Sequence, residues 1–162
     1  MIDPVNRVTD LHLSAARVWD LMILRRWKNN ASEAFFHQEK ISLVQQILWF
    51  ARYVKRKEDT ITMIWSSKSR IGCIGVRWKG GAWDVYNVIL GDQRFSGKGL
   101  MSRAMDEILQ KVLKNRNAPV RLEVLIENPA LEWYLKRGFE IVASTEKAHT
   151  MQLTTTSSQE NA

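Results

Sequence analysis

Apolar positions along the chain change period repeatedly. Residues 7–13 alternate, with Val8, Leu11 and Leu13 apolar, which is the spacing of a half-buried strand. Residues 14–28 move to helical spacing through Ala15, Val18, Leu21, Met22 and Leu24, and Ser14 is placed to cap that helix. NNASE breaks the pattern. Residues 42–54 then put Leu43, Ile47, Leu48, Phe50 and Ala51 on one side of a second helix, opened by Ser42. Three β-rich segments follow at 60–65, 71–78 and 83–90, separated by the turn sequences SKSR and KGGA. A long amphipathic helix over 99–115 carries an apolar stripe of Leu100, Ala104, Met105, Ile108, Leu109, Val112 and Leu113. Residues 120–126 form a strand, and Pro129 suits the first turn of a helix that reaches Lys136. Gly138 ends it, FEIVAS opens another strand, and residues 149–154 give a last one around Met151 and Leu153.

This order, an antiparallel meander followed by helix-crossed strands, predicts an α/β (α+β) domain with a mixed sheet. Length agrees, because 162 residues suit one domain with one core and need no disulfide or metal staple. Residues 1–155 are expected to form that domain, with 156–162 as a disordered polar tail. No apolar run approaches the ~20 residues of a membrane span. The N-terminal residues MIDPVNRVTD lack the basic and apolar blocks of a signal peptide, so a cytoplasmic protein is expected. Cys73 is the single cysteine and reads as a core thiol, with no metal-ligand spacing to another Cys or His.

A net charge of +7 favours partners that carry phosphates. The charge is dispersed, however, among Arg25, Arg26 and Lys28, Lys55 to Lys57, and Lys111, Lys114 and Arg116. Charge alone leaves nucleic acid and a phosphorylated coenzyme both open.

The chemistry lies after the third β-rich segment. Val88-Ile89-Leu90 runs into a loop with Gly97 and Gly99, and the loop opens the long helix. The first N–H groups of a helix have no internal partner and carry the positive end of its dipole, so this junction suits a pyrophosphate. A P-loop is excluded because Lys98 is not followed by Ser or Thr, and a G-x-G-x-x-G fingerprint is absent. A capped helix without a ligand remains open on this segment alone. A second segment supplies Glu127-Asn128, Ala130 and Tyr134-x-x-x-Gly138-Phe139.

Together, in this order, the two segments resemble the GNAT superfamily of N-acetyltransferases over residues 8–154. The family pairs Arg/Gln-x-x-Gly-x-Gly/Ala and a long helix with a later strand, Glu-Asn-x-x-Ala and Tyr-x-x-x-Gly-Phe. The glycine motif reads literally as Arg94, Gly97 and Gly99. The loop-to-helix spacing instead puts Ser96, Gly99 and Met101 in those places, like the ribosomal-alanine, spermidine and aminosugar branches. Asn128 stands one residue closer to Tyr134 than is common in the family.

The resemblance implies a GNAT fold: about seven strands, four main helices, and fourth and fifth strands that splay apart. It implies acetyl-coenzyme A as co-substrate. Backbone groups of Val88, Ile89 and Leu90 would hold the pantetheine arm. Ser96, Gly97, Lys98, Gly99, Leu100 and Met101 would hold the pyrophosphate, with Asn128 nearby. The acceptor amine would attack the thioester directly, and a strand N–H near Val88 or Ile89 would stabilise the oxyanion. Tyr134 matches the tyrosine that protonates the leaving thiolate. Asp84, Glu39 and His37 are candidates for taking the amine's proton, and a water relay is an alternative.

Between the first two helices, Leu24 to Asn30, Phe35 to Ser42 and Trp49-Phe50 resemble acetyltransferases of nucleotide-linked deoxysugars, such as those of pseudaminic-acid biosynthesis. Arg26, Trp27, Asn29, His37 and Glu39 are the implied acceptor-binding residues. A protein N-terminus, a polyamine or another small amine is the alternative acceptor. A basic nucleic-acid-binding domain and an inactive acyl-coenzyme A-binding module are the non-enzyme alternatives. Neither nucleic acid nor membrane is the expected partner, and a homodimer is possible through an exposed strand edge.

Overall fold

A computed structural model describes residues 10–32 and 39–154. The chain forms β1 (Leu11–Ala15), α1 (Leu21–Asn30), α2 (Leu43–Tyr53), β2 (Asp59–Ser66), β3 (Ser69–Lys79), β4 (Ala82–Leu90), α3 (Leu100–Asn115), β5 (Val120–Leu125), α4 (Leu131–Lys136), β6 (Phe139–Ser144) and β7 (Ala148–Leu153). One seven-stranded sheet has the order β1-β2-β3-β4-β5-β7-β6. The β4–β5 pair is parallel, and every other pair is antiparallel. Crossover α3 joins the parallel pair, as such a connection requires. This is the mixed α/β architecture with four helices that the residue pattern predicts.

The sheet is covered on both faces. Ile64, Ile71, Ile74, Val85, Val120 and Leu122 pack with Leu100, Met105, Ile108 and Tyr134 of α3 and α4. On the other face Leu24, Trp27 and Tyr53 of α1 and α2 cover Ile61, Met63, Cys73 and Ile89. Cys73 is buried as expected, and burial pushes its thiol up to about 12, so it stays protonated and inert.

Two expectations need correction. Ser14 does not cap α1. It lies in β1, where its Oγ accepts the Trp65 Nε1–H at 2.9 Å, and α1 begins only at Leu21. Strand pairing of Ser14 with Met63 overrides the helical spacing of the apolar residues that follow it. Asp20, buried just ahead of α1, accepts the Arg17 N–H at 2.9 Å and Arg70 Nε at 2.7 Å.

The second correction concerns α2. Ser42 caps it as expected, exchanging hydrogen bonds with Gln45 in a capping box. Of its apolar stripe, however, Leu43, Ile47 and Leu48 face outward, 44%, 50% and 51% exposed, while Phe50 packs on the core. Gln46 and Tyr53 turn inward instead, anchored on the Leu21 carbonyl and the Ile61 N–H.

Candidate functional site

Strand β4 bears the site because it leaves its neighbour. Only Trp83–Val85 pair with Val120–Leu122 of β5. Beyond them Asn87 takes a positive φ of 48°, and the β3–β4 register shifts between Cys73 and Gly75. Such a bulge bends a strand and raises its twist, which carries the rest of β4 away from β5. Gly75 permits the bend, since a Cβ there would meet the Tyr86 ring at 2.7 Å.

The gap opens into two cavities that share Val88, Ala130 and Tyr134. The first, about 380 Å³, lies against the start of α3. Val88, Leu90, Ser96, Gly97, Gly99, Leu100 and Met101 line it, together with Phe95, Ser102 and Trp133. Gly97 and Gly99 have φ of 71° and 72°, and a Cβ on either would meet nothing within 4 Å. The loop therefore needs glycine for its backbone and leaves open space where a ligand approaches. Gly99 is the N-cap of α3 without a side-chain cap, and no acidic residue stands in the first turn. The donors of that turn are left for an anion. These residues fit the pyrophosphate of a coenzyme.

Two of the expected contacts can be made by backbone alone. Ile89 points its side chain to the opposite face, into the cluster with Trp27 and Cys73, so its backbone alone is at the gap. Lys98 lies with its ammonium over the Phe95 ring at 5.3 Å. Asn128 uses its Oδ1 to accept the Ala130 N–H at 2.9 Å, which shapes the turn into α4, and it lines the second cavity.

Tyr134 stands between the two cavities. Its ring makes edge contacts with Trp133 at 5.2 Å and Phe139 at 6.0 Å. Trp133 is fixed in turn by its Nε1–H bond to Ser102 Oγ at 3.1 Å. No buried side-chain polar atom lacks a partner among the described residues, and no hydrogen bond to a described residue engages the Tyr134 hydroxyl. The hydroxyl thus faces open cavity. Burial of the ring pushes the phenol up to about 12.

The second cavity, about 560 Å³, reaches from Tyr134 to Lys28, Trp49, Arg77, Lys79, Asp84, Tyr86, Asn87 and Glu123. Asp84 accepts Arg77 Nε at 2.8 Å, and the Arg77 guanidinium lies 4.3 Å from the Tyr86 ring centroid. Tyr86 donates its hydroxyl to Asp59, and burial together with that bond raises its phenol far above the ordinary range. Lys28 donates to Asn87 Oδ1 at 3.0 Å, and burial lowers its ammonium's pKa.

The acceptor residues predicted on α1 separate. Trp27 is only 4% exposed and is a core residue. Its ring lies over Gly91, where a Cβ would come within 2.0 Å. Asn29 is a tie: its amide both donates to and accepts from the Ile41 backbone, at 3.1 and 2.7 Å. Arg26 is exposed on the far side of α1, beside Trp19 and Arg70. Glu39 borders a third cavity, under α2. His37 lies outside the described residues. Arg77, Lys79 and Asn87 were not foreseen, because only strand register and the bulge bring them to the gap. Among the described residues no cluster of His, Cys, Asp or Glu could hold a metal.

Residues 23–139 match the model of the acetyltransferase (GNAT) family. The chain belongs to the GNAT family. GNAT enzymes are N-acetyltransferases that use acetyl-coenzyme A, so the glycine loop and Tyr134 stand in a family setting. No protein of curated function matches by sequence. Among solved structures, spermidine N-acetyltransferase from Vibrio cholerae, in complex with CoA and spermine, is similar with a TM-score of 0.78 at 17% identity, over 90% of this chain and 95% of that one. PaiA N-acetyltransferase from Thermoplasma acidophilum, in complex with coenzyme A, gives 0.71 at 16%, over 90% and 99%. FdhC, a nucleotide-linked sugar GNAT, gives 0.73 at 14%, over 89% and 86%. The GNAT fold is thus common to neighbours with very different acceptors. No described helix is long and apolar enough to cross a membrane.

Proposed function

We propose that this GNAT enzyme acetylates the amine of a small acceptor that carries phosphate, of the nucleotide-linked amino-sugar class. One observation carries the choice of acceptor: a largely buried ammonium, Lys28, stands on the acceptor side of the gap, held by Asn87. Lys79 and Arg77, the latter paired with Asp84, bring the cations of the cavity to three against the carboxylates Asp84 and Glu123, and Trp49 and Tyr86 add aromatic surface. Phosphate and hydroxyl groups are stabilised beside such cations, whereas a polyamine would set cation against cation.

Acetyl-coenzyme A, when bound, supplies the acetyl group as a thioester. The chain's residues divide the remaining tasks. Amides of Ser96 to Met101 bind the pyrophosphate, and the free edge of β4 at Val88 to Leu90 offers hydrogen bonds that β5 no longer takes. Asp84, fixed by Arg77, is one of two carboxylates lining the gap, with Glu123, and we assign it the amine's proton. Tyr134 keeps its proton at Oη for the leaving sulfur.

Acceptor choice is tested by steady-state kinetics with a nucleotide-linked amino sugar, spermidine and a peptide with a free N-terminus. The nucleotide-linked amine should give the highest kcat/KM, and a preference for spermidine would overturn the acceptor assignment.

The pH profile follows from Tyr134. Its competent form is the protonated phenol, which persists up to about 12. The acceptor must lose a proton, with a pKa near ~10.4 for a simple alkylamine. Activity should therefore rise with pH and show no fall below about pH 10. A falling limb near pH 9 would assign the proton donor to another group.

A further inference from the structure

Helix α2 carries two apolar faces, and only the aromatic one, Trp49, Phe50 and Tyr53, packs toward the core. Leu43, Val44, Ile47 and Leu48 face outward, while Gln45, Gln46, Trp49 and Arg52 face a cavity of about 490 Å³. The orientation is fixed at both ends by Gln46 on the Leu21 carbonyl and by the Tyr53 hydroxyl, which accepts the Ile61 N–H at 2.8 Å. Burial of the aromatic face accounts for the packing of α2, and the polar residues beside it, Gln45, Gln46 and Arg52, are left facing the cavity, which asks what the inner face binds.

The cavity is bordered by three cations, Lys28, Lys40 and Arg52, against one carboxylate, Glu39. Lys28 is held by Asn87 and Lys40 by the Asn29 carbonyl. Arg52 has no ion pair among the described residues. Trp49 stacks on Tyr53 at 5.2 Å with planes 14° apart, which makes a stiff aromatic platform. Trp49, Lys28 and Asn87 also line the reaction gap, so the two cavities adjoin.

We infer that the cavity under α2 is the subsite for the nucleoside diphosphate end of the acceptor, with Arg52 and Lys28 on the phosphates, Trp49 on the base and Glu39 on sugar hydroxyls. This rests on the acceptor class proposed above. Guanidinium and ammonium groups bind phosphate through charge-assisted hydrogen bonds, and an indole stacks on any base. The reacting amine is left on the Tyr134 side of Lys28.

The test is calorimetric titration of the intact protein with uridine diphosphate. Coenzyme A is kept saturating, so that the α3 loop is occupied. The wild type should bind, and Arg52→Glu and Trp49→Leu should each weaken binding about tenfold or more. Coenzyme A affinity should stay unchanged in both. No binding by the wild type at millimolar diphosphate, or equal binding by both variants, would overturn the subsite. The acceptor class fails separately. Arg52-dependent diphosphate binding without transfer to any nucleotide-linked amine keeps the subsite and rejects the acceptor. Transfer to such an amine with a KM insensitive to Arg52→Glu does the reverse.

Discussion

Tyr134→Phe should lower kcat by about a hundredfold or more, the usual contribution of a positioned general acid. The dissociation constant for acetyl-coenzyme A should not move. The ring keeps its edge contacts with Trp133 and Phe139, and only the hydroxyl that faces the cavities is lost. That hydroxyl bonds to no described residue, so its removal leaves no partner stranded and stability should hold. Single-turnover kinetics at saturating acceptor separates the chemical step from binding. An unchanged rate would remove Tyr134 from proton transfer and turn attention to solvent in the gap.

Gly91→Ala should destabilise the protein severely, although the change adds one methyl group. Gly91 follows β4 directly, and its added Cβ would meet three Trp27 ring atoms at 2.0, 2.2 and 2.3 Å. Trp27 cannot yield easily because it is packed among Leu24, Ile61, Met63 and Ile89. Overpacking of this kind costs about 3 kcal/mol. For a chain of this size that lowers Tm by roughly 6–12 °C. Coenzyme affinity should fall too, since Gly91 leads into the loop proposed to hold the pyrophosphate. Adding Trp27→Leu should recover part of the loss, because the clash and the cavity offset each other. A thermal melt of Gly91→Ala within a degree of wild type would show that Trp27 does not lock this corner.

Residue patterning revealed much of the framework. β-rich segments between turn sequences located the strands of the meander, helical spacing located α3, and Ser42 marked the start of α2. The positive-φ glycines of the loop before α3 and Tyr134 before Gly138-Phe139 were legible as local motifs. What stayed hidden depends on partners distant in sequence. Ser14 looks like a helix cap until β2 pairs with it, and Trp27 looks like a ligand platform until Gly91 takes its ring. Periodicity gave α2 an apolar face without saying that most of this face would turn outward. Arg77 and Asp84 meet because β3 and β4 pair there, and the Asn87 bulge that parts β4 from β5 has no local sequence signal.

Thermal denaturation with and without acetyl-coenzyme A tests the central claim, a GNAT coenzyme site between β4 and the start of α3, most directly. Ligand at about a hundred times its dissociation constant should add about 2.7 kcal/mol of stability, a rise of several degrees in Tm. Gly99→Val, which forces a branched side chain into a φ of 72°, should abolish most of that rise. No rise with wild-type protein at millimolar acetyl-coenzyme A would contradict the site.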